Sequence, residues 1–187
     1  RLDSGYLTQW ETPIFESVVY KIDVKLLIKR GFLCPVVSNG GGVKIDVSKV
    51  KHKGGEFLDS ALESLYMSKT VEIVADIVKK GIDRKAWLIF CVSIEHAEQV
   101  TAELISHGVN TACYHSQSDN DYILDDFANG CLKCLVNVNI LTTGSNFPIA
   151  DMCVLIRATE STALYVQIVG RVMRLYPNKK NALLLDY

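Results

Sequence analysis

The chain has 187 residues, 49% of them hydrophobic and 22% charged, and a formal net charge of -1. That supplies one substantial core plus an extra segment, with no apolar run long enough to span a bilayer. The near-neutral balance does not announce a nucleic-acid partner through the overall field and neither supports nor excludes DNA, so any such contact must come from a local patch.

The N-terminal third mixes short strands and turns, with strands expected at Val18 to Tyr20, Leu33 to Val37 and Val43 to Val47 and a short helix near Val24 to Lys29. Gly40-Gly41-Gly42 and Gly54-Gly55 punctuate it, with the basic residues Lys49, Lys51, His52 and Lys53 between them. The triple glycine lacks a following helix and a lysine-serine or lysine-threonine pair, so it reads as a turn, not a phosphate loop. This third has the character of a connector. A longer helix, about Glu56 to Lys79, then leads into the rest.

From Trp87 onward short apolar runs alternate with amphipathic stretches, the signature of a parallel sheet covered by helices. Strands are expected at Trp87 to Val92, Thr111 to Tyr114, Leu132 to Val138, Met152 to Ile156 and Ala182 to Leu185. Helices fall at Ile94 to Ser106, Asp121 to Ala128 and Ser161 to Leu175, the last ended by Pro177 and Asn178.

Six cysteines, Cys34, Cys91, Cys113, Cys131, Cys134 and Cys153, sit mostly in apolar strand-like runs, where a reduced thiol behaves as a small hydrophobe. Cys131 and Cys134 have the spacing of half a zinc knuckle. No second pair follows, so no metal site is expected. The chain opens at Arg1 without a signal-peptide pattern and reads as a cytosolic fragment.

The chemistry gathers in two places. Gln167-Ile-Val-Gly-Arg171-Val-Met-Arg174 sets a glutamine and two arginines four and three residues apart, on one face of the expected helix. Two cations aimed together repel each other, so the pattern suits a polyanion such as a nucleotide's phosphates, with Gly170 allowing close approach. The plain alternative is a solvated helix face. The second place is the sheet's carboxyl edge, where ligands of open parallel sheets collect: Ser93 follows the first strand of the core, His115-Ser116 the second, and the polar run Asn137 to Pro148 the third. Within that run Thr142, Thr143 and Gly144 offer hydroxyls and an approachable backbone for phosphate or ribose. A threonine turn would look the same.

Taken in order, Leu88 to Ser93, Thr142 to Pro148 and Gln167 to Arg174 resemble motifs IV, V and VI of superfamily 2 helicases. The likeness covers a second RecA-like domain, residues 56–187, an α/β fold of three layers on a mostly parallel sheet, with residues 1–55 as the connector preceding it. Arg1 to Tyr6 and Ile45 to Phe57 are similar to prokaryotic RadD-type DNA-repair helicases and, more loosely, to restriction-enzyme translocase subunits.

This resemblance implies that ATP and Mg2+ lie between two RecA-like domains, held mainly by a first domain whose phosphate loop and acidic site are not in this sequence. Arg171 and Arg174 then match the arginines that stabilise charge on the transferred phosphoryl group. Gln167 helps sense the phosphate. Gly144 and Asn146 match the glycine and acidic residue that approach the ribose, although Asn146 brings no charge where aspartate is usual. Ser93, His115, Thr142 and Thr143 match groups that line a nucleic-acid groove, and Val138 stands where many relatives carry threonine. The implied partners are DNA, single-stranded or at a junction, and the first RecA-like domain, with no membrane; the fragment alone would not hydrolyse ATP. A RecA-like module that only binds nucleic acid or protein is the alternative. A small-molecule enzyme lacks a carboxylate pair to act as general base, since Asp125-Asp126 lies mid-helix and Asp151 precedes a strand.

Overall fold

A computed structural model describes residues 16–46, 52–53, 56–57, 59–118, 122–138, 146–158 and 161–187. Thr142, Thr143 and Gly144 lie outside the described residues, as do Lys49 and Lys51 of the basic cluster. The elements in chain order are α1 Val24–Lys29, β1 Val36–Ser38, β2 His52–Lys53, β3 Glu56–Phe57, α2 Asp59–Met67, α3 Thr70–Lys80 and β4 Trp87–Cys91. Then come α4 Ile94–Ser106, β5 Thr111–Tyr114, α5 Tyr122–Ala128, β6 Cys134–Asn137, β7 Met152–Ile156, α6 Thr162–Val172 and β8 Ala182–Asp186.

Six strands form one sheet in the order β1-β8-β7-β4-β6-β5, and every pairing in it is parallel. Both faces are buried, which explains why β4, β6 and β7 read as unbroken apolar runs. Alternate residues serve opposite faces. Trp87, Ile89 and Cys91 of β4 join Met152, Val154 and Ile156 of β7 against Tyr66, Ile73, Ile77, Val100 and Leu104 of α2, α3 and α4. Leu88 and Phe90 join Cys153, Leu155 and Leu184 against Phe127 of α5 and Ile168 and Val172 of α6. The result is the three-layer α/β arrangement anticipated above.

Local chemistry sets the helix ends. Asp23 caps α1, Ser93 caps α4 and Ser161 caps α6, each side chain accepting from a backbone N–H of the first turn. Gly31, Gly108 and Gly130 follow α1, α4 and α5 at φ of 73°, 77° and 78°, the left-handed conformation that ends a helix at least cost in glycine.

Four expectations need correction. The helix read over 56–79 is instead strand β3 followed by two helices, interrupted at Ser68 and Lys69. The Ser68 hydroxyl donates to the Leu65 carbonyl and the Thr70 hydroxyl to that of Tyr66, and such local bonds compete with a continuous helix. Residues 18–20 form no strand and are exposed. The segment read as connector also reaches into the sheet, because Val36–Ser38 pairs in parallel with Ala182–Leu184 of β8 as an edge strand. Val43 and Ile45 pack against the core without strand pairing.

The triple glycine is no loose turn. A Cβ on Gly41 would sit 2.3 Å from the Tyr187 ring and one on Gly42 2.7 Å from Asp76 Oδ1. Asp76 Oδ2 accepts from the Gly42 N–H at 2.8 Å, from Lys80 Nζ at 2.8 Å and from the Tyr187 hydroxyl at 2.7 Å. Glycine is required here because backbone must approach side chains this closely. Those three donors outweigh the desolvation of Asp76 and hold its carboxyl below the ordinary value.

Candidate functional site

The fold separates the two sets of candidate residues. Parallel strands put all carboxyl ends on one edge, so Ser93 after β4, His115 after β5 and Asn137 at the end of β6 share it. Helix α6 leaves β7 at that edge and runs back to feed β8, so its last turn, carrying Arg171, lies toward the amino ends of the strands. The sequence does not show this. The arginines are therefore not part of the carboxyl-edge cluster.

Helix α6 is also shorter than its periodicity suggests, ending at Val172 with Met173 as its cap. Arg174 thus sits in the turn beyond the helix, and the expected single helical face for Gln167, Arg171 and Arg174 breaks down. Gln167 is exposed, whereas Arg171 is only 8% exposed. Burial, followed by repulsion from the neighbouring Arg174 cation, lowers the Arg171 proton affinity from its ordinary value. The two guanidiniums are thus close enough to interact. No atom lies within 4 Å of a Cβ built on Gly170, so the close approach it permits is not used among the described residues.

Arg174 reaches the segment before β7, where its Nη1 donates to Asn146 Oδ1. Asn146 owes its position to Phe147, 5% exposed, whose ring meets Phe127 edge-on at a centroid distance of 5.2 Å. Lys179 ties the same region from the other side. Its Nζ donates to the carbonyls of Arg174 at 3.0 Å, Pro148 at 3.1 Å and Ala150 at 2.5 Å. Sequence reading missed Lys179 because it lies past the helix, and its only signal was a lysine beside the Pro177-Asn178 turn. Asn178 adopts a φ of 65°, and that left-handed turn folds the chain back.

At the carboxyl edge Ser93 has two structural bonds. Its hydroxyl accepts from the His96 N–H at 3.1 Å as the cap of α4 and donates to Glu63 Oε1 on α2. His115 is held by its own turn. Its Nδ1 accepts from the Gln117 N–H at 3.3 Å, its N–H donates to Ser118 Oγ at 2.9 Å, and its Nε2 lies 4.0 Å from Glu98 Oε1. Asn137, the start of the polar run, ends β6 inside the core. Fully buried, it donates from Nδ2 to the Ile89 carbonyl at 2.8 Å, while its Oδ1 has no hydrogen-bond partner among the described residues. An asparagine inside an apolar strand was the available signal. Val138 packs partly buried against the core.

All six cysteines are free, and burial pushes the Cys91, Cys113, Cys134 and Cys153 thiols up from their ordinary value. Among the described residues no group of three or more acidic, histidine or cysteine side chains is placed to hold a metal, and no helix is long and apolar enough to cross a membrane.

A six-stranded parallel sheet between helical layers defines a RecA-like α/β domain. The chain belongs to the helicase conserved C-terminal domain family, which it matches over residues 69–176. It is 28% identical over 183 residues to the candidate ATP-dependent helicase IRC3 of Saccharomyces cerevisiae, a match covering 93% of this chain and 26% of that protein. It is also 28% identical over 168 residues to the ATP-dependent RNA helicase glh-4 of Caenorhabditis elegans, covering 86% of this chain and 14% of the other. Among solved structures, a fragment of a candidate HsdR subunit of a type I restriction enzyme from Vibrio vulnificus superimposes with a TM-score of 0.71 at 25% identity, over 92% of this chain and 35% of that one. The chain thus spans about a quarter of the length of IRC3.

Proposed function

We propose that this chain is the second motor domain of an ATP-dependent DNA helicase or translocase of the RadD type, acting in DNA repair. In this reading residues 56–187 carry the motor domain, with Val36–Ser38 of the preceding segment adding its edge strand, and the rest of residues 1–55 connects it to a first RecA-like domain that holds ATP and Mg2+ through a phosphate loop and acidic residues. The observation that carries the reading is the Arg171–Arg174 pair. Arg171 is buried, and burial first and the neighbouring Arg174 cation second lower its proton affinity; an arrangement that keeps two cations together is suited to meet phosphate.

Arg171 and Arg174 act as arginine fingers, stabilising charge that develops on the transferred phosphoryl group when the two domains close. Gln167, exposed on the same helix, helps sense the phosphate. Gly144 and Asn146 approach the ribose, Asn146 through hydrogen bonding alone. Ser93, His115, Thr142 and Thr143 line the nucleic-acid groove, contacting the backbone through small polar groups that let a motor step without reading sequence. The relatives' names support ATP dependence, and the motif likeness supports DNA.

In the longer protein this reading requires, Arg174→Ala is expected to lower DNA-stimulated ATP turnover by roughly a thousandfold while ATP binding is largely kept. Turnover within tenfold of wild type rejects the finger assignment. A second reading, a RecA-like module that binds without hydrolysis, draws on Asn146, whose neutral amide replaces a ribose-facing carboxylate and instead accepts from Arg174.

A further inference from the structure

The amino ends of β4, β7 and β8 frame a cavity of about 420 Å3, at the end of the sheet opposite Ser93 and His115. Such a volume falls within the ordinary range for small-molecule pockets. Its wall carries four cations, Arg84, Lys85, Lys179 and Lys180, and two carboxylates, Asp83 and Asp151. Four positive charges against two negative leave an excess of two.

The protein itself does little to cancel that excess. Among the described residues, none of the four cations has a carboxylate oxygen within 4.0 Å. Arg84 donates from Nη1 to the Asn181 carbonyl at 3.2 Å and to Asn181 Oδ1 at 2.8 Å. Lys179 is fixed by three backbone carbonyls. These partners are neutral, so they hold the cations in place and leave the charge available.

Asp151 is also committed. Both its oxygens accept from the Lys85 N–H at 3.0 Å, and Oδ1 accepts from the Ala86 N–H at 3.0 Å, which turns the carboxylate toward the backbone. Lys85 and Lys180 are exposed at the mouth and their side chains make no bond among the described residues. Tyr176, 41% exposed, adds an aromatic ring to the same wall. Cations positioned by neutral groups around a concavity form a receptor for an oxyanion, and a phosphate's three oxygens match guanidinium and ammonium donors.

We propose that this cavity binds a small phosphate-bearing ligand, with the phosphate between Arg84, Lys85 and Lys180, at a site distinct from the Arg171–Arg174 pair. Lys179 lies in its wall and hydrogen-bonds the Arg174 carbonyl, so the ligand rests against the turn that carries Arg174.

Titration calorimetry of the 187-residue chain with inorganic pyrophosphate and with AMP tests this. Saturable one-to-one binding is expected, weakened about tenfold or more in a Lys85→Glu/Lys180→Glu double variant, with the milder Lys85→Gln/Lys180→Gln pair weakened in the same direction. A Lys25→Glu/Lys29→Glu pair in α1 makes the same charge change on residues that do not line the cavity and is expected to leave affinity within about twofold. AMP binding more tightly than pyrophosphate identifies a nucleotide, with Tyr176 against the base; pyrophosphate binding equally or more tightly identifies the free phosphate. The proposal is overturned by absence of saturable binding, by equal losses in both charge-reversal pairs, or by a loss on Arg174→Ala that the lysine variants do not share.

Discussion

Arg174 donates from Nη1 to Asn146 Oδ1, joining the turn past α6 to the segment that enters β7. A carboxylate in place of Asn146 would grip the guanidinium through full charge. The neutral amide holds the arginine more weakly.

A double-mutant cycle over Asn146→Ala and Arg174→Ala measures that grip. Because Asn146 is exposed, the coupling should be small, about 0.5–1 kcal/mol in urea denaturation, and Asn146→Asp should increase it at low salt. Zero coupling in all backgrounds would mean that the contact does not hold Arg174 in solution.

Ser93 carries both a cap and a proposed contact with nucleic acid. Ser93→Ala is expected to cost about 1 kcal/mol of stability through the lost bond to the His96 N–H. In the longer protein it should also weaken single-stranded DNA binding, whereas Ser93→Thr should keep the cap, the bond to Glu63 and most of the DNA affinity. DNA affinity unchanged in Ser93→Ala would leave Ser93 a structural residue only.

His96 is fully buried against Tyr66, at a ring-centroid distance of 5.9 Å, and neither ring nitrogen has a hydrogen-bond partner among the described residues. Burial outweighs the nearby Glu63 carboxylate and pulls its pKa from 6.5 to about 4. The folded value is the lower one, so the unfolded chain takes up the proton first. Stability from this group is complete above pH 6.5 and is lost as the pH falls toward about 4, at up to about 1.4 kcal/mol per pH unit. Urea denaturation between pH 7.5 and 5 should show a slope that His96→Leu removes. An identical slope in both proteins would contradict a buried neutral imidazole.

Gly41 and Gly40 make a matched pair. Gly41→Ala places a methyl against the Tyr187 ring, which its hydroxyl bond to Asp76 holds in place, and should cost about 1–3 kcal/mol. A Cβ on Gly40 meets nothing within 4 Å, so Gly40→Ala should change stability by only a few tenths of a kcal/mol. Comparable midpoints in chemical denaturation would show that the glycine loop is not packed on Tyr187.

Several features were legible from the residues in order. The strands at Trp87, Thr111 and Met152 fall where the apolar runs place them, and the helix over Ile94–Ser106 has the bounds its periodicity indicates. Ser93 and Ser161 cap their helices in the structure, a role that the reading of the residue order does not include. The helix over 56–79 was misread because Ser68 and Thr70 turn their hydroxyls onto nearby carbonyls, a competition that hydrophobic spacing does not register. The strand Val36–Ser38 could be read as extended, but nothing local says that it pairs with a strand some 150 residues later.

The sequence by itself determined the alternation of buried strands and amphipathic helices, and with it the parallel α/β fold, because burial on both faces writes itself into short apolar runs. It also supplied the chemical identity of Arg171, Arg174 and Asn146. Only the tertiary structure decided that α6 stops before Arg174, that Arg174 meets Asn146 across 28 positions, and that the arginines lie at the end of the sheet away from Ser93 and His115. The physical reason is one of range. Periodicity and capping are interactions along the chain, whereas the placement of a side chain beside a distant partner follows from how the layers pack.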